Sequence, residues 1–255
     1  MKNKRERLDG IISILRVEGK TSLANLAERF EVSTATIRRD IKLLESSGQI
    51  FQAVGGEVLY KKDYPGPSRE EMLSKAIDEK VRIAEYCSSL VEDRDTIIVG
   101  PGVVTNLTGR IIGGLDKEFR VITNSLSLGM ELSKLDNISV FMLGGDVEKQ
   151  YSVALNPGFD PMSGIQYADK LFLTADGIDN EYGLTYFNST MLPVIRGMMN
   201  VSREVILIAD STKFGNVCFN YLDDLSGITK IVTDNGIKKS HLKAIANEGI
   251  EIVTV

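Results

Sequence analysis

The chain has 255 residues, of which 43% are hydrophobic and 25% are charged, and its formal net charge is −5. This composition is ordinary for a globular protein and excludes an intrinsically disordered, collagen-like or disulfide-scaffold chain, while the length predicts one large domain or two modest ones. Cys87 and Cys218 are far apart in sequence and His241 is the single histidine, so we expect neither a disulfide framework nor a metal site.

The first ten residues, MKNKRERLDG, are charged and contain no apolar segment. No stretch of the chain approaches the roughly 18 consecutive apolar residues that a membrane span requires. These features predict neither a secretory signal nor a membrane helix. We therefore expect a cytoplasmic protein without a membrane partner.

Charge is distributed unevenly along the chain. Residues 1–62 hold 12 Lys or Arg and 8 Asp or Glu, a net charge of +4, which leaves −9 on the remainder. This asymmetry predicts a small basic module joined to a larger acidic one.

Residues 1–60 carry three short helical patterns followed by a hairpin pattern. The helices are predicted over 5–17, from Thr21 or Ser22 to just before Glu31, and from the N-cap Ser33 through Leu44. β-prone residues on both sides of Gly55-Gly56 predict a hairpin over 49–60. This order matches a helix-turn-helix unit with the hairpin as its wing, so residues 1–60 are predicted to form a DNA-binding domain.

The third predicted helix has one apolar stripe, formed by Ile37, Ile41 and Leu44, and a polar opposite face. Arginine suits guanine edges in the major groove, while lysine and threonine suit phosphate oxygens. In an arbitrary helix such a face is most often merely solvated, but the net positive charge and the following hairpin favour a DNA interface. The predicted DNA-binding residues are Ser33, Thr34, Thr36, Arg38, Arg39 and Lys42.

Three segments of this region match a known pattern: Arg7-x3-Ile11-x3-Leu15, Ser33-Thr-Ala-Thr-Ile-Arg-Arg-Asp-Ile41 and Gly55-Gly56. With them the region resembles the DeoR-type winged helix of bacterial repressors. The resemblance implies double-stranded operator DNA as a partner. Two wing residues depart from the family pattern, Val54 in place of the usual histidine and Glu57 in place of a small residue.

A linker is predicted over 61–69, where Pro65-Gly66-Pro67 interrupts regular structure, and one long helix is predicted over 68–92. The β-rich runs that follow are 96–99, 120–123, 139–143, 170–174, 205–209, 230–233 and 251–255. The helical patterns between them lie near 103–115, 125–135, 189–202 and 238–248. This alternation predicts that residues 70–255 form an α/β domain with a mostly parallel sheet.

Small and polar residues follow several of these predicted strands, at the edge where open α/β sheets bind ligands. Glycines there let a ligand approach the backbone closely, and a helix N-terminus offers free N–H groups to an anion. Taken singly, each such segment is most simply a turn, but the pattern recurs after five strands. The predicted effector-binding residues are Gly102, Thr105, Asn106, Asn124, Ser125, Gly144, Gly145, Asp176, Asp210 and Lys213.

The larger domain also resembles the DeoR family sensor domain over essentially all of 70–255. The matching segments are Val121-Ile-Thr-Asn-Ser125, Ala168-Asp-Lys170, Thr174-Ala-Asp-Gly-Ile-Asp179 and Ala209-Asp-Ser-Thr-Lys-Phe-Gly215. The resemblance implies a fold related to ribose-5-phosphate isomerase and the CoA transferases, which senses a phosphorylated sugar or a similar metabolite. The loop Gly100–Val104 lacks the family's Asp and two threonines, and Met191 and Ile195 stand where a Glu and a Lys are frequent, so we expect a more apolar pocket.

These observations favour a transcriptional repressor of a carbohydrate operon that forms a homodimer or homotetramer, needs no cofactor and has no catalytic residue. One alternative is a DNA-binding protein whose larger domain serves only oligomerisation. Another is a sugar-phosphate isomerase-like enzyme with Asp176 or Asp210 as its base. The irregular segment 150–166 is compatible with a lid or with a plain loop.

Overall fold

The structure is a computed structural model that describes residues 4–46, 50–52, 57–60, 69–156, 164–165 and 167–255. The chain forms two compact units, residues 1–66 and 67–255. The predicted linker, 61–69, lies outside the described residues except for Arg69, which begins a helix. The two units are described separately below.

The N-terminal unit contains three helices and a small antiparallel sheet. Its helices are α1 (Lys4–Glu18), α2 (Leu23–Phe30) and α3 (Thr34–Ser46), and its strands are β1 (Lys20–Ser22), β2 (Ile50–Gln52) and β3 (Glu57–Tyr60). The strand order is β1-β3-β2, so β2 and β3 form the predicted hairpin and β1, which was not predicted, extends it. The three predicted helices are confirmed, whereas Val54 and the two glycines of the hairpin turn lie outside the described residues.

A single apolar cluster holds this unit together. Ile11 and Leu15 of α1, Leu26 of α2, and Ile37 and Ile41 of α3 are all fully buried in it. The helical spacing of these residues is the reason for the arrangement, because it places one apolar stripe on each helix. Burial of such side chains stabilises the unit by roughly 1.5–3 kcal/mol each.

The second unit is built on a seven-stranded sheet in which every neighbouring pair is parallel. Its strands are β4 (Thr96–Val99), β5 (Phe119–Thr123), β6 (Ile138–Met142), β9 (Ala168–Leu173), β12 (Ser202–Ile208), β14 (Lys230–Thr233) and β15 (Glu251–Thr254). The helices are α4 (Arg69–Ser74), α5 (Ile77–Ser89), α6 (Val103–Ile112), α7 (Leu126–Leu132), α8 (Leu192–Asn200) and α9 (Lys239–Asn247). The predicted α/β class and all seven predicted strands are confirmed.

Apolar residues cover both faces of this sheet, which explains why its strands are nearly continuous apolar runs. One cluster joins strand residues such as Val99 to Ile83 of α5, Ile112 of α6 and Leu128 of α7. The other joins further strand residues to α8, α9 and two small sheets. The domain is therefore a three-layer α/β structure with α5–α7 on one face.

Short antiparallel strands, which were not predicted, form the two small sheets. The pair β7 (Asp146–Glu148) and β8 (Val153–Leu155) forms one, and β10 (Gly177–Asp179), β11 (Gly183–Tyr186) and β13 (Asn220–Asp223) form the other. Strand β8 lies within the segment 150–166, so this segment is not wholly irregular; residues 157–163 and 166 lie outside the described residues, and the choice between a lid and a loop stays a prediction.

The predicted long helix over 68–92 is wrong, because the structure has two helices there. Helix α4 ends at Ser74 and α5 begins at Ile77, and between them Ala76 has φ 53°, a left-handed conformation. A non-glycine residue in that conformation interrupts a helix and costs roughly 1–2 kcal/mol. The contacts that hold the break in place are described below.

Candidate nucleic-acid interface and ligand crevice

Backbone and side-chain caps fix the turn between α2 and α3. Glu31 has φ 54° after the end of α2, and the Val32 N–H donates to the Ala27 carbonyl at 3.0 Å. The Ser33 hydroxyl then accepts a hydrogen bond from the Thr36 N–H at 3.2 Å, which makes Ser33 the N-cap of α3 as predicted. The turn thus sets the direction of α3 relative to α2.

Helix α3 exposes a basic face on the side opposite its buried stripe. Arg38, Arg39 and Lys42 are exposed, as are Thr34 and Ala35. Within the described part of the chain, the three basic side chains make no ion pair and no hydrogen bond. They are consequently available to phosphates and base edges.

Thr36 and Ser33 are placed differently from the basic residues. The two hydroxyls lie 3.0 Å apart and Thr36 is half-buried, so both side chains belong to the N-cap of α3. Their structural role is to begin the helix. Contact between these two residues and DNA stays a prediction.

A buried ion pair, which sequence reasoning did not find, joins α3 to α1. Arg7 Nε lies 2.5 Å from Asp40 Oδ2, and the two side chains are 12% and 3% exposed. The hydrogen bond to Asp40 raises the pKa of Arg7 further above its usual range. Asp40 follows Arg38 and Arg39 directly in the sequence but lies on the inward-facing side of α3. That position was the only sequence signal that Asp40 binds another part of the unit and not DNA.

The order of the parallel sheet reverses at β4, and we call the edge formed there by the loops after β4 and β9 the ligand crevice. In the sheet, β4 has β5 as its neighbour on one side and β9 on the other, so the chain continues from β4 in one direction and later returns to the opposite side. Such a point is called a topological switch point, and it is the usual ligand site of an open α/β sheet. The loops after β4 and β9 meet there. Gly102 has φ 150°, and a Cβ on it would lie 2.3 Å from Thr174 Cγ2, so only glycine permits this close approach.

The loop after β4 leads into helix α6, whose first N–H groups have no partner within the helix. Gly102 is the N-cap residue of α6 and supplies no capping side chain. Thr105 is fully buried and donates its hydroxyl proton to the Gly102 carbonyl at 3.0 Å, which leaves those N–H groups open to an anion.

Two asparagines contribute buried oxygens that no described residue satisfies. Asn106 Oδ1 on α6 and Asn124 Oδ1 after β5 are both inaccessible and have no hydrogen-bond partner within the described part of the chain. The Asn124 side chain is fully buried, and its Nδ2 donates to the Ala154 carbonyl at 3.2 Å. Buried polar atoms normally have partners, so these oxygens are candidate acceptors for ligand hydroxyls.

Beyond β9, the carboxylate of Asp176 accepts a backbone hydrogen bond and lies within the electrostatic influence of Lys213. The Phe187 N–H donates to Asp176 Oδ2 at 3.1 Å, and the charge of Lys213 acts on the same carboxylate. Burial nevertheless raises the pKa of Asp176, because desolvation outweighs the two stabilising partners. The Tyr186 hydroxyl, which donates to the Thr174 carbonyl, lies beside this group and has its pKa raised by burial and by Asp176.

Asp210 follows β12 as the N-cap of the next 3₁₀ turn and is 3% exposed. One oxygen accepts hydrogen bonds from the Thr212 N–H, at 3.2 Å, and from the Thr212 hydroxyl, which fixes the short 3₁₀ turn Ser211–Lys213. The other oxygen lies 4.0 Å from Lys80 Nζ on α5. Lys80 was not among the predicted site residues, because the region was interpreted as part of an unbroken helix.

The remaining predicted residues lie further towards the β7–β8 sheet. Ser125 is the N-cap of α7, accepting from the Leu128 N–H, and is 1% exposed. Gly145 has φ 140° and packs against the Leu155 carbonyl, whereas Gly144 is exposed with open space around it. The structure thus groups Asn124, Ser125 and Gly145 around β8.

Met191 and Ile195, which stand where the family often has a Glu and a Lys, are 2% and 0% exposed and belong to the apolar cluster that α8 packs against. The more apolar pocket expected from these two residues stays a prediction.

Within the described residues, no cluster of three or more His, Cys, Asp or Glu side chains is arranged to bind a metal ion. The same part of the chain contains no helix with the length and apolar character needed to cross a membrane.

A winged helix-turn-helix unit with a free basic face, together with an α/β unit that carries a ligand crevice, defines a DNA-binding transcriptional regulator with a sensor domain. Comparison with known families agrees with this class. Residues 7–63 match the DeoR-like helix-turn-helix domain, and residues 75–235 match the DeoR C terminal sensor domain. The chain belongs to the DeoR family.

Full-length relatives carry the same class of description. The chain is 30% identical over 245 residues to the lactose phosphotransferase system repressor of Lactococcus lactis subsp. lactis, covering 94% of this chain and 95% of that protein. It is 29% identical over 252 residues to the uncharacterised HTH-type transcriptional regulator YulB of Bacillus subtilis (strain 168), covering 98% and 96%. Ribose 5 phosphate isomerase A from Neisseria gonorrhoeae, a solved structure, matches with a TM-score of 0.40 and 19% identity over 54% of this chain and 53% of that one.

Proposed function

We propose that this regulator is a cytoplasmic repressor of a carbohydrate operon whose affinity for operator DNA changes when a phosphorylated sugar occupies the crevice. The basic face of α3 is the observation that supports operator binding, because Arg38, Arg39 and Lys42 are exposed and the described chain offers them no partner. The relative named as a lactose phosphotransferase system repressor supports the carbohydrate assignment.

The contacts with DNA are assigned by chemistry. Arg38 and Arg39 carry planar donors suited to guanine edges or phosphates, and Lys42 and Thr34 suit phosphate oxygens. The N-cap residues Ser33 and Thr36 fix the start of α3, so that these donors enter the major groove in one orientation.

The test of the DNA interface starts from duplexes that the full-length protein selects out of a randomised pool. Arg38→Ala and Arg39→Ala are each expected to weaken binding to a selected duplex by roughly 5- to 150-fold, since a base contact of this kind is worth ~1–3 kcal/mol. The melting temperature should stay unchanged, because both side chains are exposed. Arg16→Ala, which removes the same charge from the exposed side of α1, is the matched control; equal affinity in all three variants would remove the assignment.

The sensor part of the proposal is supported by a set of groups that suits a sugar phosphate. The open N-terminus of α6 and the ammonium of Lys213 favour an anion, while Asn106 Oδ1 and Asn124 Oδ1 are acceptors for hydroxyl groups. Asp176 adds a carboxylate acceptor. These groups support the proposal that phosphate and polyol recognition take place at the same edge of the sheet.

A thermal-shift panel tests the ligand class. Sugar phosphates, the matched unphosphorylated sugars and inorganic phosphate are added to the full-length protein, and selective binding to the native state raises the melting temperature by mass action. A compound that shifts the wild type should bind Lys213→Met about 10-fold more weakly, by the loss of one charge-assisted contact. The control is Lys243→Met, which removes an exposed lysine from α9.

The panel also separates the alternatives. If no compound shifts the melting temperature, the larger domain is favoured as one that serves only oligomerisation. A separate assay for turnover of ribose 5-phosphate tests the enzyme alternative, in which Asp176 or Asp210 is the base. We further propose a homodimer or homotetramer, because paired recognition helices read symmetric half-sites about 34 Å apart. Light scattering of the full chain tests this, and a monomer bound to DNA would contradict it.

A further inference from the structure

The buried side chain of Lys80 bridges the joint between α4 and α5. Lys80 is 5% exposed, and its Nζ donates to the Met72 carbonyl at 2.7 Å and to the Lys75 carbonyl at 2.5 Å. These carbonyls lie at the C-terminal end of α4, where the last carbonyl groups of a helix have no N–H donor within the helix. Lys80 therefore caps α4 from the first turn of α5 and stabilises the left-handed conformation of Ala76.

The same ammonium also faces the ligand crevice. Two donors of the Lys80 ammonium are used by the α4 carbonyls, and Asp210 Oδ2 lies 4.0 Å from the same nitrogen, an ion pair beyond hydrogen-bond distance. Asp210 in turn orients the 3₁₀ turn that carries Lys213. A continuous set of contacts thus runs from Lys213 through Asp210 and Lys80 to α4.

We infer that Lys80 is a positioning residue that couples the state of Asp210 in the ligand crevice to the order of α4, the first helix that the structure describes after the DNA-binding unit. The inference rests on the proposed function, which places an anionic ligand beside Lys213. A ligand that draws Asp210 or Lys213 towards itself changes the distance between that charged group and the Lys80 ammonium, and so changes the electrostatic potential at Lys80. Because the ammonium is almost fully removed from water, it responds by changing its hydrogen bonds to the α4 carbonyls.

The electrostatics of Lys80 agree with this role. Desolvation lowers its pKa, and the charges of Lys213 and Lys75 act in the same direction, while Asp210 and Glu79 oppose them. Asp210 is therefore the main nearby charge that favours the ammonium form. Loss of that charge weakens the cap on α4 even though Asp210 makes no bond to α4 itself.

Hydrogen exchange of the full-length protein, without DNA or ligand, tests the coupling. The variants are Asp210→Asn, Lys80→Met and the double variant. Each is expected to speed exchange of the α4 amides and of the Lys75 amide by about 10-fold or more, with the double variant no faster than Lys80→Met alone. The matched control is Lys75→Met, which removes an exposed charge at the same joint but keeps the carbonyl that Lys80 binds; because the Lys75 charge disfavours the Lys80 ammonium, its exchange should be no faster than that of the wild type.

The Asp210→Asn result decides the inference even if Lys80→Met does not fold. A role confined to the local turn would speed exchange at 211–213 and leave α4 at the wild-type rate, and that outcome would overturn the coupling. Additive effects in the double variant would overturn it as well. The experiment uses neither operator nor sugar phosphate, so failure of the proposed function would be seen separately in the thermal-shift panel.

Discussion

Arg7 and Asp40 join α1 to α3 inside the DNA-binding unit. Asp40→Ala leaves a largely buried guanidinium without its partner, which is expected to destabilise the unit by about 3 kcal/mol. Thermal unfolding measures this loss. The control is Arg29→Ala, which breaks the ion pair with Glu18, where both side chains are well exposed, and should cost less than about 1 kcal/mol. Equal losses in the two variants would mean that Asp40 does not hold α3 in place.

Asp176 supplies a prediction about pH. Burial raises the pKa of its carboxyl in the folded protein, so its ionised form disfavours folding. The neutral carboxyl is the form that the folded protein favours. Its stabilising effect is therefore fully present at a pH below the pKa of Asp176 in the unfolded chain, and it is lost as the pH rises through the higher pKa of Asp176 in the folded protein. Asp176→Asn should raise the melting temperature near neutral pH and gain less in acid.

The measurement for Asp176 is a series of melting temperatures from acid to neutral pH. Asp146→Asn on exposed β7 is the control, and its difference from the wild type should not vary with pH in this way. A lower melting temperature for Asp176→Asn at neutral pH would show that the charge stabilises the fold. The buried charge of Asp176 is expected to lower the free energy of unfolding. Such a loss of stability is common in binding sites, because residues kept for function are often not optimal for stability.

At the scale of elements, the loops after β4 and β9 can meet only because Gly102 has no side chain. Gly102→Ala would place a Cβ 2.3 Å from Thr174 Cγ2 at a φ of 150°, and the loops must separate to accommodate it. We expect a loss of about 1–3 kcal/mol in stability and loss of the shift produced by any ligand. Gly144→Ala is the matched control, because no atom lies within 4 Å of its added Cβ, so it should change stability by less than about 0.5 kcal/mol. A ligand response that survives in Gly102→Ala would place the ligand elsewhere.

The elements that sequence predicts well are those with a long apolar period. The stripe Ile37, Ile41 and Leu44 identified α3 and its exposed face, and the buried strands were visible as apolar runs. Small strands such as β7 and β10 have only three residues, too few to show a period. The break at Ala76 has no local signal, since alanine normally favours a helix and the conformation depends on Lys80 from the next helix.

The candidate ligand site was predictable to a similar degree. The rule that ligands bind at the carboxyl ends of parallel strands selected Gly102, Asp176 and Asp210 correctly as residues of that edge. It could not show that Asn124 lies beneath β8, because β8 itself was not recognised. Lys80 was missed for the same reason as the helix break, since its partners are backbone carbonyls that carry no residue-type signal.

At the scale of the whole molecule, the two units have separate apolar cores. Among the residues that the structure describes, the N-terminal cluster contains residues between 8 and 58, and the two clusters of the larger unit contain residues from 83 onward. A unit with its own core has the means to unfold on its own, since burial of apolar surface is the main favourable term in folding. The positive charge of residues 1–62 and the negative charge of the remainder follow the same division.

Calorimetry of the full chain is therefore expected to show two transitions that respond to different substitutions. Asp40→Ala should lower one of them, by roughly 10 °C or more for a unit of this size, and leave the other in place. Gly102→Ala should lower only the second, by a smaller interval, because the same free energy shifts the melting temperature of a larger unit less. A ligand of the crevice should raise the transition that Gly102→Ala lowers, which identifies that transition as the unfolding of the sensor unit. A single transition that moves with both substitutions would instead mean that the units unfold together, so that binding energy in the crevice would directly stabilise the DNA-binding unit.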